Sequence, residues 1–219
     1  MNTINSLAER LLGRKLTKSD GVKSSELDKV ESKLGFALPD IIRDLYLMTG
    51  KNGMLMESFN RFALPTQLQR DDNKIVFLEE NQNICYWGFE IDPENTNPKV
   101  YQLLNENEWY EEQIPLIEFL KVMLYYQCAQ GGYEYLGISN ISEEDFEIFI
   151  HTEWEDVVRY NGLQIYWKPD CLLWYVYNKE NVRIEDIYFS ARSEEAFLRH
   201  AQKYELEIFN IRFATQVLY

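Results

Sequence analysis

The sequence predicts an α+β fold: a single domain with one mainly antiparallel central sheet packed by helices. Three observations point there. Apolar residues recur at helical spacing from Ile4 to Met48, and again after Pro115. Between and after these stretches, short β-branched and aromatic runs alternate with polar turns, the texture of an antiparallel meander. Aromatics are also plentiful, with 15 Tyr, 12 Phe and 5 Trp among 219 residues. They favour pleated, half-buried surfaces, and equally they equip a contact surface.

The elements follow in chain order. Ile4–Leu12 reads as a short helix and 13–21 as a polar connector. A second helix begins near Ser24 or Ser25, where Ser25 with Asp28 has the spacing of a capping box. Leu27, Val30 and Leu34 recur along it, and Gly35 ends it. Pro39 then opens a helix from Asp40 to about Met48, with Ile41, Ile42, Leu45 and Tyr46 inward, and the run 49–53 closes it as a turn. Strands are predicted at Lys74–Glu79, Ile84–Glu90 and Lys99–Leu103, with a loop at 92–98. Pro115 opens a long helix to about Cys128, striped by Leu116, Phe119, Leu120, Met123 and Leu124. Glu143–Ile150 fits either type, and Glu153–Tyr160 reads as a short helix. Leu163–Trp167, Leu172–Tyr177 and Ile184–Phe189 read as strands, Ser193 with Glu195–His200 as a helix, and Glu207–Phe213 as a last strand. The length allows one large domain or two small ones. No low-complexity linker or repeat interrupts the chain, and Gly131–Asn140 is the single candidate boundary, so one continuous domain is expected.

The net charge of −14 is unevenly spread. Residues 1–70 carry 11 Lys+Arg against 8 Asp+Glu, residues 71–158 carry 3 against 20, and residues 159–219 carry 8 of each. All the excess negative charge therefore lies in the middle segment. Such a surface repels nucleic acid, whose binding depends on cationic contacts to phosphate, and draws basic partners. No apolar run is long enough to span a membrane, and the first residues lack the apolar core of a secretion signal. With three scattered cysteines, Cys85, Cys128 and Cys171, and no CxxC pair, a reducing cytoplasm is the expected compartment.

Catalytic patterns fail on inspection. His151-Thr152-Glu153 gives an HxE, and Pro169-Asp170-Cys171 lies downstream. A zinc deaminase needs HxE with PCxxC, and the second cysteine is missing. Cys85 and Cys171 sit inside apolar strand patterns, where a thiol behaves as a small core residue. Carboxylates recur at Glu79-Glu80, Glu111-Glu112 and Glu143-Glu144-Asp145, a pattern that suits a solvated acidic face. No phosphate-binding glycine loop occurs. No catalytic, cofactor or metal residue is therefore assigned.

Two blocks carry a family resemblance. The first is Glu31, Leu34-Gly35, Leu38-Pro39, then Tyr46 and the Lys51-Asn52-Gly53 turn. The second is Glu80-Asn81-Gln82-Asn83-Ile84-Cys85-Tyr86-Trp87-Gly88-Phe89, then Asn97-Pro98-Lys99-Val100-Tyr101, Trp109, and Phe119-Leu120. Together they resemble the SUKH superfamily, whose bacterial members are mostly immunity proteins of toxin systems and which includes the fungal cell-wall assembly regulator. The interval from Tyr46 to Asn52-Gly53 is slightly longer than in that family's Y-x-x-x-NG pattern. The resemblance spans residues 27–128, within a best-matching region 24–130. Residues 1–23 are a helix and connector before it, and 131–219 complete the fold as in longer members. It implies one central sheet, no cofactor, and neutralisation of a cognate toxin by direct stoichiometric binding.

The segment from Glu79 to Glu112 combines aromatic anchors with carboxylates that would steer a basic partner. The expected partner-binding residues are Glu79, Glu80, Tyr86, Trp87, Glu90, Asp92, Glu94, Trp109, Tyr110, Glu111 and Glu112. Tyr86 and Trp87 alternate along a strand, so one of the two faces the core; the pattern does not say which. An intracellular scaffold domain and a carboxylate-dependent enzyme are the alternative functions.

Overall fold

The computed structural model describes residues 3–104, 108–184 and 186–208. Contacts group the chain into two compact units, Met1–Gln127 and Cys128–Tyr219, each with its own antiparallel sheet. The α+β class is as the sequence predicts.

The first unit opens with three helices, α1 (Thr3–Leu12), α2 (Ser24–Leu34) and α3 (Asp40–Thr49). Lys23, not Ser25, caps α2: the Glu26 carboxylate accepts the Lys23 N–H at 3.4 Å. Gly35, at φ 66°, sends its own N–H and that of Phe36 back to the Glu31 carbonyl, a left-handed ending that glycine adopts without strain. The Glu31 side chain accepts the Leu38 N–H at 2.8 Å and pairs with Arg43, which also holds Asp28 at 3.0 Å. The Glu31–Pro39 block is thus a structural staple between α2 and α3. Nearby, the buried Asp20 carboxylate accepts from Arg14, Thr17 and Asn52, and Arg14 holds its pKa far below the usual range. Asn52 also caps α4 (Gly53–Met56), so the predicted turn at 49–53 runs into a short helix.

The first sheet contains β1 (Arg61–Phe62), β2 (Gln69–Asp71), β3 (Lys74–Glu79), β4 (Cys85–Glu90), β5 (Lys99–Leu104) and β6 (Glu108–Pro115). Its order is β1-β3-β4-β5-β6, and β2 pairs with the start of β3. A bulge between Val76 and Leu78 turns both Phe77 and Leu78 inward. α5 (Leu116–Gln127) packs on that inner face, and Phe119 meets Phe77 at 6.0 Å and Trp87 at 5.9 Å. Asn97-Pro98 starts α5: the Asn97 side chain accepts the Ile117 N–H, and the Pro98 carbonyl that of Leu116. At the other end the buried Gln127 amide donates to the Asn60 carbonyl at 2.6 Å and accepts its N–H at 2.7 Å. Strand β6 arises from a stretch to which the sequence pattern assigns no element. It closes the row beside β5.

The second unit begins with a π-helical turn, Cys128–Gly132. It continues through β7 (Tyr135–Ser139), α6 (Glu143–Glu153), β8 (Glu155–Tyr160), β9 (Leu163–Lys168), β10 (Cys171–Val176), β11 (Ile187–Ala191), α7 (Glu194–Ala201) and β12 (Leu206–Ile208). The sheet order is β12-β7-β11-β10-β9-β8. The expectation of one central sheet is corrected to two. β7, from the stretch read as a boundary, pairs with β11 and β12, so the second unit completes a sheet of its own. The predicted helix at Glu153–Tyr160 is likewise corrected to strand β8. Asn161-Gly162, at φ 47° and 84°, forms the two-residue turn that folds Asp156-Val157-Val158 back along β9. Glu143–Ile150 is helical. Ile184 lies outside β11, and the part of the expected last strand beyond Ile208 lies outside the described residues. The inner face joins Leu173, Phe189, Phe197, Trp154 and Tyr204 in one core. No helix among the described residues is long and apolar enough to cross a membrane.

Candidate functional site

The ladder partners of the first sheet sort its side chains by face. One face, with Phe62, Ile75, Leu78, Trp87, Phe89 and Val100, lies in the buried core. Across the other run two rows. Arg61, Glu79, Tyr86, Leu103 and Trp109 are successive partners, as are Gln69, Val76, Gly88, Tyr101 and Glu111. Tyr86, Tyr101, Leu103 and Trp109 are half-buried there, a state between core and free surface.

Trp109 is held down on this outer face. A Cβ on Gly88 would lie 3.0 Å from the Trp109 ring and 3.2 Å from the Ile75 carbonyl, so glycine at 88 lets the indole rest on the sheet. The indole N–H donates to Asp71 at 3.0 Å. Lys74, buried to 8% exposure, sets its ammonium 4.6 Å from the Tyr101 ring centre and 5.4 Å from that of Trp109. Arg61 pairs with Glu79 and Lys99 with Glu111, each at 3.0 Å, while Asn73 reaches Glu90 at 3.4 Å. Beside the Tyr86–Leu103 end lies a groove of ≈ 1140 Å³, bordered by Arg61, Leu64, Gln69, Val76, Tyr86 and Leu103.

The expected partner-binding residues therefore divide. Glu79, Tyr86, Glu90, Trp109 and Glu111 share the outer face. Trp87 does not: it is a core residue, 7% exposed, and its indole donates to Glu112 at 2.9 Å. The alternation of Tyr86 and Trp87 is settled, with tyrosine outward. Glu112 is drawn to the inner side by that bond. Tyr110 is half exposed and donates to Glu108. Glu80 and Asp92 serve their own turns, accepting the N–H groups of Gln82 at 2.7 Å and Glu94 at 3.2 Å, and Glu94 is exposed in the 92–98 loop. Asp71, Lys74, Tyr101 and Leu103 join this face and are outside the expected set. The parity of Lys99, Tyr101 and Leu103 along β5 was a legible signal; that Lys74 and Asp71 reach Trp109 depends on register across four strands.

Elsewhere the chemistry-bearing residues are tied into structure. His151 pairs with Glu147 on the exposed side of α6, while Glu153 accepts from Lys168 at 2.6 Å and from Lys203. Those two ammonium groups lower the Glu153 pKa to about 2. The HxE residues thus point to different partners. Cys171 is buried and burial pushes its thiol up to about 12; Cys85 and Cys128 are buried too, with thiols raised for the same reason. Such thiols are poor nucleophiles at neutral pH. Among the described residues no three His, Cys, Asp or Glu side chains gather into a metal-binding group. No family model, curated protein or solved structure matches the chain.

Proposed function

We propose that the chain is an immunity protein that neutralises a basic cognate toxin by stoichiometric contact through the outer face of its first sheet. The observation that carries this reading is the set Tyr86, Tyr101 and Trp109, half-buried on one sheet face among Glu79, Glu90 and Glu111. Half-buried aromatics supply anchors that become fully desolvated on binding, and the carboxylates around them select and steer a cationic partner. The charge distribution supports the polarity of that partner, since the segment 71–158 holds 20 acidic against 3 basic residues. The resemblance of the Glu31–Pro39 and Glu80–Trp109 blocks to SUKH immunity proteins supports the class of function.

The test is coexpression with the toxin domain encoded beside the gene. The expected result is restored growth and a one-to-one complex in size-exclusion chromatography with light scattering. A folded Tyr86→Ala/Trp109→Ala variant should lose both. Failure of the wild-type chain to protect, or full protection by the double variant, overturns the reading.

A further inference from the structure

The outer face ends at a strand whose far side has no partner strand among the described residues. Among the described residues, β5 is the strand that pairs with β6. It is eight residues long, where edge strands are commonly short, bulged or guarded by lysine. β8, at one end of the second sheet, shows such guards. β8 is bulged between Asp156 and Val158, and its Arg159 is held by Gln164 and Asn181 at 3.0 and 2.8 Å. In β6 the register shift falls toward the Pro115 end, so Glu108–Glu111 runs unbroken against Leu104–Tyr101. This stretch contains no cation. Its side chains alternate Glu108 and Tyr110 on one side with Trp109 and Glu111 on the other, and Glu108, Tyr110 and Glu111 are exposed.

We propose that β6 accepts an added strand from the partner, an extended segment with lysine or arginine at alternate positions. Main-chain bonds along 108–111 would extend the sheet, and the guest's cations, which alternate positions place on one face of the added strand, would meet Glu111 on the outer face, as in β-strand addition generally. The proposal deepens the toxin-binding reading: it names how the partner docks. The competing account makes Glu108 and Glu111 repulsive guards that keep the edge unpaired.

The test uses the full chain, isotope-labelled, and two synthetic peptides as long as β6. One alternates Lys and Val; in the other, proline replaces each valine, which keeps the charge and removes strand bonding. The Lys-Val peptide is expected to shift and protect the amides of 108–111. Glu108→Lys/Glu111→Lys should weaken it about tenfold, and the proline peptide should not bind. Equal binding of both peptides, shifts confined to other residues, or no binding overturns the proposal, even if the double variant misfolds. Toxin protection with no peptide binding would leave the immunity reading standing and remove strand addition. Peptide binding without toxin protection would do the reverse.

Discussion

The two sheets employ their aromatic residues differently. In the second unit Trp154, Phe189, Phe197 and Tyr204 form one closed knot, and the polar atoms within it are satisfied locally: the Trp154 indole donates to the Tyr204 hydroxyl at 2.8 Å. Stability accounts for those four rings; among the residues outside that cluster, Trp174 is buried and stacks on half-buried Tyr188 with ring centres 4.2 Å apart. In the first unit aromatics occupy both faces. Phe77, Trp87 and Phe89 pack toward α5, while Tyr86, Tyr101 and Trp109 lie half-buried opposite them. Burial explains the first trio. It does not explain the second, and that difference is the reason the proposed contact surface is put on the first sheet.

The largest expected effects test what the two cores share. Phe119→Ala removes a ring that is 0% exposed and touches Phe77 and Trp87; Phe189→Ala does the same beside Trp154, Phe197 and Tyr204. Each should cost about 3–5 kcal/mol. Urea unfolding followed by tryptophan fluorescence measures both.

The faces of the first sheet separate in the next comparison. Trp87→Ala should cost about 3–5 kcal/mol, as a core cavity does. Trp109→Ala loses one hydrogen bond, the Lys74 contact and partial packing on Gly88, which together come to about 1–2 kcal/mol. Thermal melts of the free variants decide. Equal losses would make Trp109 a core residue and move the binding face elsewhere.

Acid sensitivity is expected in both units, from Asp20 in the first and Glu153 in the second. The folded pKa of Glu153, about 2, lies below its ordinary value of 4.5. The unfolded chain therefore takes up the proton first, so this stabilisation is complete above about 4.5 and is lost as pH falls toward 2. Its side chain is 30% exposed, and solvent screening reduces the contribution to about 1–2 kcal/mol. Glu153→Gln should remove that amount at neutral pH and flatten the acid limb of the stability profile. An unchanged limb would place acid sensitivity in other carboxylates such as Asp20.

Much of the fold was legible where periodicity was strong. The α5 stripe of Leu116, Phe119, Leu120, Met123 and Leu124 is buried throughout, and β3 has the predicted bounds. The misses have physical causes. β6 reads Glu-Trp-Tyr-Glu-Glu-Gln-Ile-Pro, whose mixed, half-wet sides give neither a clear alternation nor an apolar run. β8 begins with Glu155-Asp156 and carries a bulge, which broke its alternation, although Asn161-Gly162 was a direct hairpin signal. For the site, composition located the aromatic and acidic segment. Which residues face outward depended on the bulge at Val76–Leu78 and on ladder register, and neither is a local property of the sequence.

The smallest expected effect is the most specific. Glu112 holds the indole of core Trp87, so reversing its charge disturbs the interior and confuses any binding measurement. Glu111 is exposed, and its pair with Lys99 joins side chains 46% and 55% exposed. Such a pair contributes about 0–1 kcal/mol, so Glu111→Lys should leave the melting transition nearly unchanged. If the outer face receives a basic partner, the same change should slow association about threefold to tenfold and flatten its dependence on salt. Dissociation should change less, because long-range charge acts mainly on encounter. Trp109→Ala should show the opposite pattern, with faster dissociation and a preserved salt slope. Stopped-flow association at several ionic strengths separates the two. A Glu111→Lys variant with the wild-type rate and salt slope would exclude that carboxylate from the steering surface.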